Sequence, residues 1–184
     1  MKKKIITTLF VQFLTMAMMA QNAVVVEDST FVQTTIGSAT WTRRKVVKIN
    51  DRKGQKCAFW GETMDKNRKL KSFIATVCDA SGKIVKKFKK NDLQMTELSE
   101  GLGTDAVTYY LDYTPAAYPV TMAFDWSVEN DGAVIAYPMF SPMDEYDVPV
   151  EHAVYLIRFP EDNPCRYEVP NRIESLRIDK TSGS

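Results

Sequence analysis

The chain has 184 residues, 45% of them apolar, with 24 Lys and Arg against 23 Asp and Glu. That size and composition suit one globular domain, or two small ones sharing a core, independent of disulfide or metal staples. A formal net charge of +1 lacks the basic excess of a dedicated nucleic-acid or anionic-membrane binder, so neither class of partner is expected.

Lys2, Lys3 and Lys4 precede an uncharged, mostly apolar run from Ile5 to Ala20, and Gln21-Asn22 opens a polar region. This is the layout of a secretory signal peptide, cut between Ala20 and Gln21. Met18, third before the cut, departs from the usual small residue. The apolar run of about 16 residues is short of the ~20 needed to cross a bilayer, so an uncleaved anchor is the weaker reading. No later segment reaches transmembrane length, and no Cys stands at the cut to take a lipid. Cleavage leaves 21 basic and 23 acidic residues. The expected organisation is a signal peptide over 1–20 and one domain over 21–184, exported to the periplasm or cell envelope.

Strands follow one another along the mature chain. Val24 to Ile36 and Ala39 to Ile49 flank the tight turn Gly37-Ser38. Asn50 to Gly54 is a polar connection into a strand from Cys57 to Thr63, and Asp65 to Arg68 turns the chain again. Phe73, Ala75 and Val77 alternate with smaller or polar neighbours and run into Asp79-Ala80-Ser81-Gly82, a hairpin turn returning as Ile84 to Phe88. Asn91 to Leu98 reads either as a short helical turn or as a strand. Val107 to Tyr113 is a strand, followed by the Pro-bearing connection Thr114 to Pro119. The clearest strand comes next: Val120, Met122, Phe124, Trp126 and Val128 form one apolar face against Thr121, Ala123, Asp125, Ser127 and Glu129. Asn130-Asp131-Gly132 turns it, with Ala133 to Tyr137 as the return partner. Ala153 to Phe159 is the last strand, and Thr181 to Ser184 reads as a loose tail. Short strands at this spacing predict an all-β fold, an antiparallel β-sandwich following the signal peptide.

Three cysteines remain, Cys57, Cys78 and Cys165. An exported protein can keep disulfides, and an odd count leaves at least one thiol without a partner in the chain. If Asp65 to Arg68 centres a hairpin between Asn67 and Arg68, Cys57 and Cys78 fall opposite each other, within reach of a disulfide. The alternative is two buried thiols acting as small apolar residues.

Each candidate for chemistry meets a plainer explanation. His152 is the only histidine; it opens a strand, and nothing places it beside Cys165 as a base beside a nucleophile. Gly101-Leu102-Gly103-Thr104-Asp105-Ala106 has the spacing of a dinucleotide loop but leads into a strand rather than a helix. Asp144, Glu145 and Asp147 supply oxygens in a Pro-stiffened loop without calcium-loop spacing. Lys83, Lys86, Lys87, Lys89 and Lys90 populate the wet face of a strand, where they guard a sheet edge. Trp41, Trp60 and Trp126 suit a sugar platform, yet Trp126 lies on an apolar strand face, as core does. Tyr109 and Tyr113 share a face with Leu111, whereas Tyr110 points the other way. The expected inventory is therefore no catalytic residue, no cofactor and no metal.

Several segments together resemble a known family. They are Gly37-Ser38-Ala39-Thr40-Trp41-Thr42-Arg43-Arg44-Lys45 with Lys48-Ile49-Asn50, then Leu70-Lys71-Ser72-Phe73, Asp79 to Lys83 and Val85-Lys86-Lys87. Asp105 to Tyr110, Tyr118-Pro119-Val120, Tyr137-Pro138-Met139-Phe140 and Val148 to Ala153 follow in order. In that order they are similar to the domain of unknown function found N-terminal to transglutaminase-like, papain-fold cores in exported bacterial proteins. The similarity covers roughly residues 24 to 168 and is carried by turns and strand patterns. The resemblance implies a β-sandwich usually followed by a core with a Cys-His-Asp triad. This sequence reaches Ser184 without those triad positions, so no catalytic residue carries over.

The expected role is thus that of a non-catalytic accessory or binding domain holding a peptide, glycan or protein partner. The alternatives are a docking partner for a transglutaminase-like enzyme supplied in trans, or the N-terminal part of such an enzyme.

Overall fold

A computed structural model describes residues 21–97, 105–132, 137–140 and 148–160. The signal segment, Cys165 and the acidic loop of Asp144, Glu145 and Asp147 lie outside the described residues, as does the tail. Nine strands run through the described residues: β1 (Ala23–Thr35), β2 (Ser38–Ile49), β3 (Trp60–Met64), β4 (Arg68–Cys78), β5 (Ile84–Lys89), β6 (Gln94–Glu97), β7 (Val107–Leu111), β8 (Val120–Asp131) and β9 (Ala153–Arg158). They form a six-stranded sheet in the order β5-β4-β8-β2-β1-β9 and a three-stranded sheet in the order β3-β7-β6.

The sheets take their inner faces from the period of two. Along β8, Val120, Met122, Phe124, Trp126 and Val128 are all buried and their neighbours less so. Trp60 of β3 lies over this face, its ring 4.3 Å from that of Phe73 and 5.7 Å edge-on from that of Trp126. Aromatic rings at these separations add about 0.5–1.5 kcal/mol per pair beyond their area burial. Those contacts bind the small sheet to the middle of the large one and make the fold an all-β sandwich.

Turn chemistry fixes the local connections. Gly37 and Gly82 carry φ of 80° and 82° in the β1–β2 and β4–β5 turns, a region that costs glycine no steric strain. The Asp79 carboxylate closes the second turn by accepting from the Ser81 amide at 2.8 Å and the Lys83 amide at 3.1 Å. Asp51 accepts from the Lys53 and Gly54 amides and so caps a 3₁₀ turn over Arg52–Ala58. That turn takes residues that alternation assigned to a strand from Cys57, and β3 starts only at Trp60. The Asn91 to Leu98 segment contains both alternatives: a 3₁₀ turn over Lys90–Asp92, then β6.

The expected antiparallel sandwich holds with one parallel pairing: β9 joins β1, Asp28 facing Ala153 through Gln33 facing Arg158. The long connection from β8 to β9 permits this, because parallel neighbours need a crossover rather than a tight turn. β8 has β2 along one side and β4 along the other; of its expected return partner, Ala133 to Tyr137, residues 133–136 fall outside the described set and Tyr137 lies in no strand. Of the two readings of Cys57 and Cys78, the structure has no disulfide joining them. The turn closes one step earlier than the pairing arithmetic assumed, with Asp65 and Arg68 exchanging backbone bonds at 3.2 Å. Beyond it β3 leaves for β7 while β4 joins β8, so the two cysteines never share a ladder.

Candidate functional site

The inner face of β2 is apolar at both ends and charged in the middle. Trp41, Val47 and Ile49 are buried, but between them Arg43 and Lys45 occupy the same face, opposite Trp126 and Phe124 of β8. On β1 the bulge between Val25 and Glu27 shifts the alternation, so that Asp28, only 9% exposed, turns inward too. Because β3 sits over Phe73 and Trp126, this polar stretch is left as a cleft of about 300 Å³ beside it. Arg43, Lys45, Asp28, Cys57, Glu62 and the ring of Trp126 are among its walls.

Arg43 is the fixed feature of the cleft. Its guanidinium lies 5.0 Å from the centre of the Trp126 ring, a cation–π contact worth about 0.5–2 kcal/mol depending on desolvation. One nitrogen reaches Asp28 Oδ1 at 3.5 Å, and the side chain keeps 20% of its exposure. That distance is long for a charge-assisted bond, which settles at about 2.7–2.9 Å. Arg43 Nε is buried and finds no acceptor among the described residues. The indole nitrogens of Trp60 and Trp126, which also wall the cleft, are in the same condition. Glu62, by contrast, is paired with Arg68, and Arg68 in turn lies 5.0 Å over the Trp41 ring. The cleft therefore offers a held, incompletely satisfied cation in low-dielectric surroundings, a setting suited to an oxyanion.

A second cavity, of about 390 Å³, lies between Arg68, Leu70 and Lys90 on one side and Val107 and Tyr109 on the other. Lys90 Nζ donates there to the Leu70 carbonyl at 2.6 Å, Asp65 accepts from its own turn, and Arg68, whose Nε finds no acceptor among the described residues, is held by Glu62.

The residues singled out from sequence fall elsewhere. His152 is exposed, its carbonyl accepting from the Asp28 amide at 2.9 Å, and its ring does not line the cleft. Gly101 to Thr104 are outside the described residues, and Asp105-Ala106 lead into β7, a strand. The lysines from Lys83 to Lys90 sit exposed on and around β5, an edge strand of the large sheet. Trp41, Trp60 and Trp126 are all buried, and Tyr109 and Tyr113 pack against the core. Tyr110 faces away, stacked on the half-exposed Phe59 at 6.4 Å. Among the described residues no cluster of three or more metal-ligating side chains occurs. No helix there is long and apolar enough to cross a membrane.

Arg43 escaped notice because Thr42-Arg43-Arg44-Lys45 looks like an ordinary solvated strand. The signal was present in the alternation: Arg43 and Lys45 share parity with Trp41, Val47 and Ile49. Charges that interrupt an apolar face mark a place where the covering layer stops.

Residues 36–183 match the family described as Domain of Unknown Function DUF3857. Among solved structures, a chain from Parabacteroides distasonis described as a "putative protease" superposes with a TM-score of 0.64 at 16% identity. The match covers 79% of this chain and 30% of that one, so this chain answers to under a third of its neighbour's length. No curated protein matches.

Proposed function

The chain belongs to the DUF3857 family, and from that premise we propose that it is an exported, non-catalytic accessory domain that works by binding. The single observation carrying the reading is the cleft: Arg43, held on Trp126 and only loosely engaged by Asp28, is built to hold a ligand. The architecture supports it, since the same fold forms one part of a longer protein described as a protease. The basic and apolar leader supports export. Cys57 lines the cleft, but no histidine does so among the described residues. The part-to-whole relation with the Parabacteroides chain favours a second role, docking onto a transglutaminase-like enzyme in trans.

Two measurements test the proposal. N-terminal sequencing of the native protein from the cell envelope should begin at Gln21, and a retained Met1 would overturn export by a cleaved leader. The purified protein should bind saturably on an array of peptides and glycans, and a silent array sinks the binding role. Hydrolysis or acyl transfer lost in Cys57→Ala, Cys165→Ala or His152→Ala would overturn the non-catalytic assignment.

A further inference from the structure

The cleft has a second property that specifies its ligand. β3 is an outer strand of the small sheet: it pairs with β7 from Trp60 facing Leu111 to Met64 facing Val107, and among the described residues no strand lies on its other side. A strand directs half of its backbone donors and acceptors to each side, so an outer strand presents an unpaired row. Trp60, Gly61 and Glu62 of β3 wall the cleft, whereas no residue of β7 or β6 does. The cleft therefore lies on the unpaired side of β3.

Across it stands β2, with Arg43 and Lys45 two residues apart on the inner face. Two positions along a strand span about 6.8 Å, the same distance that separates alternate side chains of an extended peptide. A chain laid beside β3 would pair with its open row and turn every second side chain toward β2. Glu62 adds no strong opposition there, because its charge is already engaged by Arg68. Arg43 has a fork to fill, for its contact with Asp28 is single and long and its Nε lacks an acceptor among the described residues.

We propose that the cleft binds an extended acidic peptide segment, added as a fourth strand at β3 and carrying a carboxylate held by Arg43. This rests on the binding role proposed above and names the ligand class for the same site. Backbone pairing supplies affinity and Arg43 supplies selection, the division of labour in strand-addition recognition.

The test titrates the full chain with acetyl-Thr-Glu-Val-Glu-Thr-amide, followed by calorimetry and by tryptophan fluorescence, since Trp60 and Trp126 wall the cleft. Three probes accompany it: the lysine counterpart acetyl-Thr-Lys-Val-Lys-Thr-amide, the acidic peptide N-methylated at its central valine, and glutarate. Saturable binding of the acidic peptide is expected, with a loss of tenfold or more for each of the other probes. Arg43→Gln should weaken the acidic peptide about tenfold or more, while Arg44→Gln, on the opposite face, should leave it unchanged. Circular dichroism checks that Arg43→Gln is folded, and the N-methyl comparison needs no variant. Equal binding of the lysine peptide overturns the charge assignment; indifference to N-methylation overturns strand addition; glutarate binding as tightly reduces the site to one for small anions. Other ligands on the array without the acidic peptide overturn the ligand class alone, whereas silence everywhere overturns the binding role as well.

Discussion

Replacing Gly54 by alanine tests how the 3₁₀ turn docks on the first strand. A Cβ there would lie 2.2 Å from the Asn22 carbonyl oxygen, 2.8 Å from its carbon and 3.0 Å from the Ala23 Cβ. Ordinary contacts begin at about 3.5 Å, so the turn and the chain must part by roughly 1 Å. The atom in the way is backbone and cannot swing aside. It also accepts the Asn50 amide at 2.9 Å, a bond worth about 1 kcal/mol that the displacement would strain or break. Overpacking adds about 1–3 kcal/mol, and the stiffer unfolded chain returns about 0.4–1 kcal/mol. The net loss is about 1.5–3 kcal/mol, or a fall in Tm of about 3–12 °C for a domain of this size. Gly61→Ala is the control: its new Cβ is tight only against the Phe59 ring, at 3.1 Å, with the Tyr109 carbonyl oxygen at an ordinary 3.9 Å, and that ring is the end of a side chain 54% exposed. Its Tm should move by less than about 2 °C. Thermal unfolding of both variants in one buffer decides the matter. A Gly54→Ala melt no lower than that of Gly61→Ala would refute the claim that backbone contact fixes the turn.

Other measurements bear on the remaining elements. Trp126→Ala removes the ring against which Trp60 and Arg43 pack and should cost about 3–5 kcal/mol in urea unfolding; a loss below about 1 kcal/mol would mean the sheets do not meet there. The Ser81 hydroxyl, with the Ser81 and Lys83 amides and the Lys83 charge, holds the Asp79 carboxyl below the usual aspartate range. A depressed carboxyl stabilises the hairpin above its unfolded pKa and loses that contribution as pH falls through the lower folded value. NMR titration should find Asp79 protonating later than a free aspartate on acidification, and Asp79→Asn should remove that part of the pH dependence; titration at or above the ordinary range contradicts the turn. A peptide map under non-reducing conditions should contain no fragment linking Cys57 to Cys78, and finding one would restore a pairing of β3 with β4.

Strand positions were legible from alternation and turn residues because both act over a few neighbours. Val120 to Val128 announced β8 through its apolar face, and Gly37 and Gly82 marked turns that need a left-handed residue. Which strands pair is a different kind of fact. The Asp65–Arg68 turn looks like a hairpin and closes like one, yet β3 and β4 part into different sheets, and Trp60 lies over Phe73 and Trp126. The parallel entry of β9 likewise depends on where β1 already stands.

The sequence by itself determined an all-β chain of short strands with a leader-like start, since composition and period are properties of consecutive residues. Only the tertiary structure decided that Arg43, one charge among several on β2, lies beside an open edge of β3. That position depends on how far the small sheet extends over the large one, and the extent is set by side chains distant in sequence that pack together.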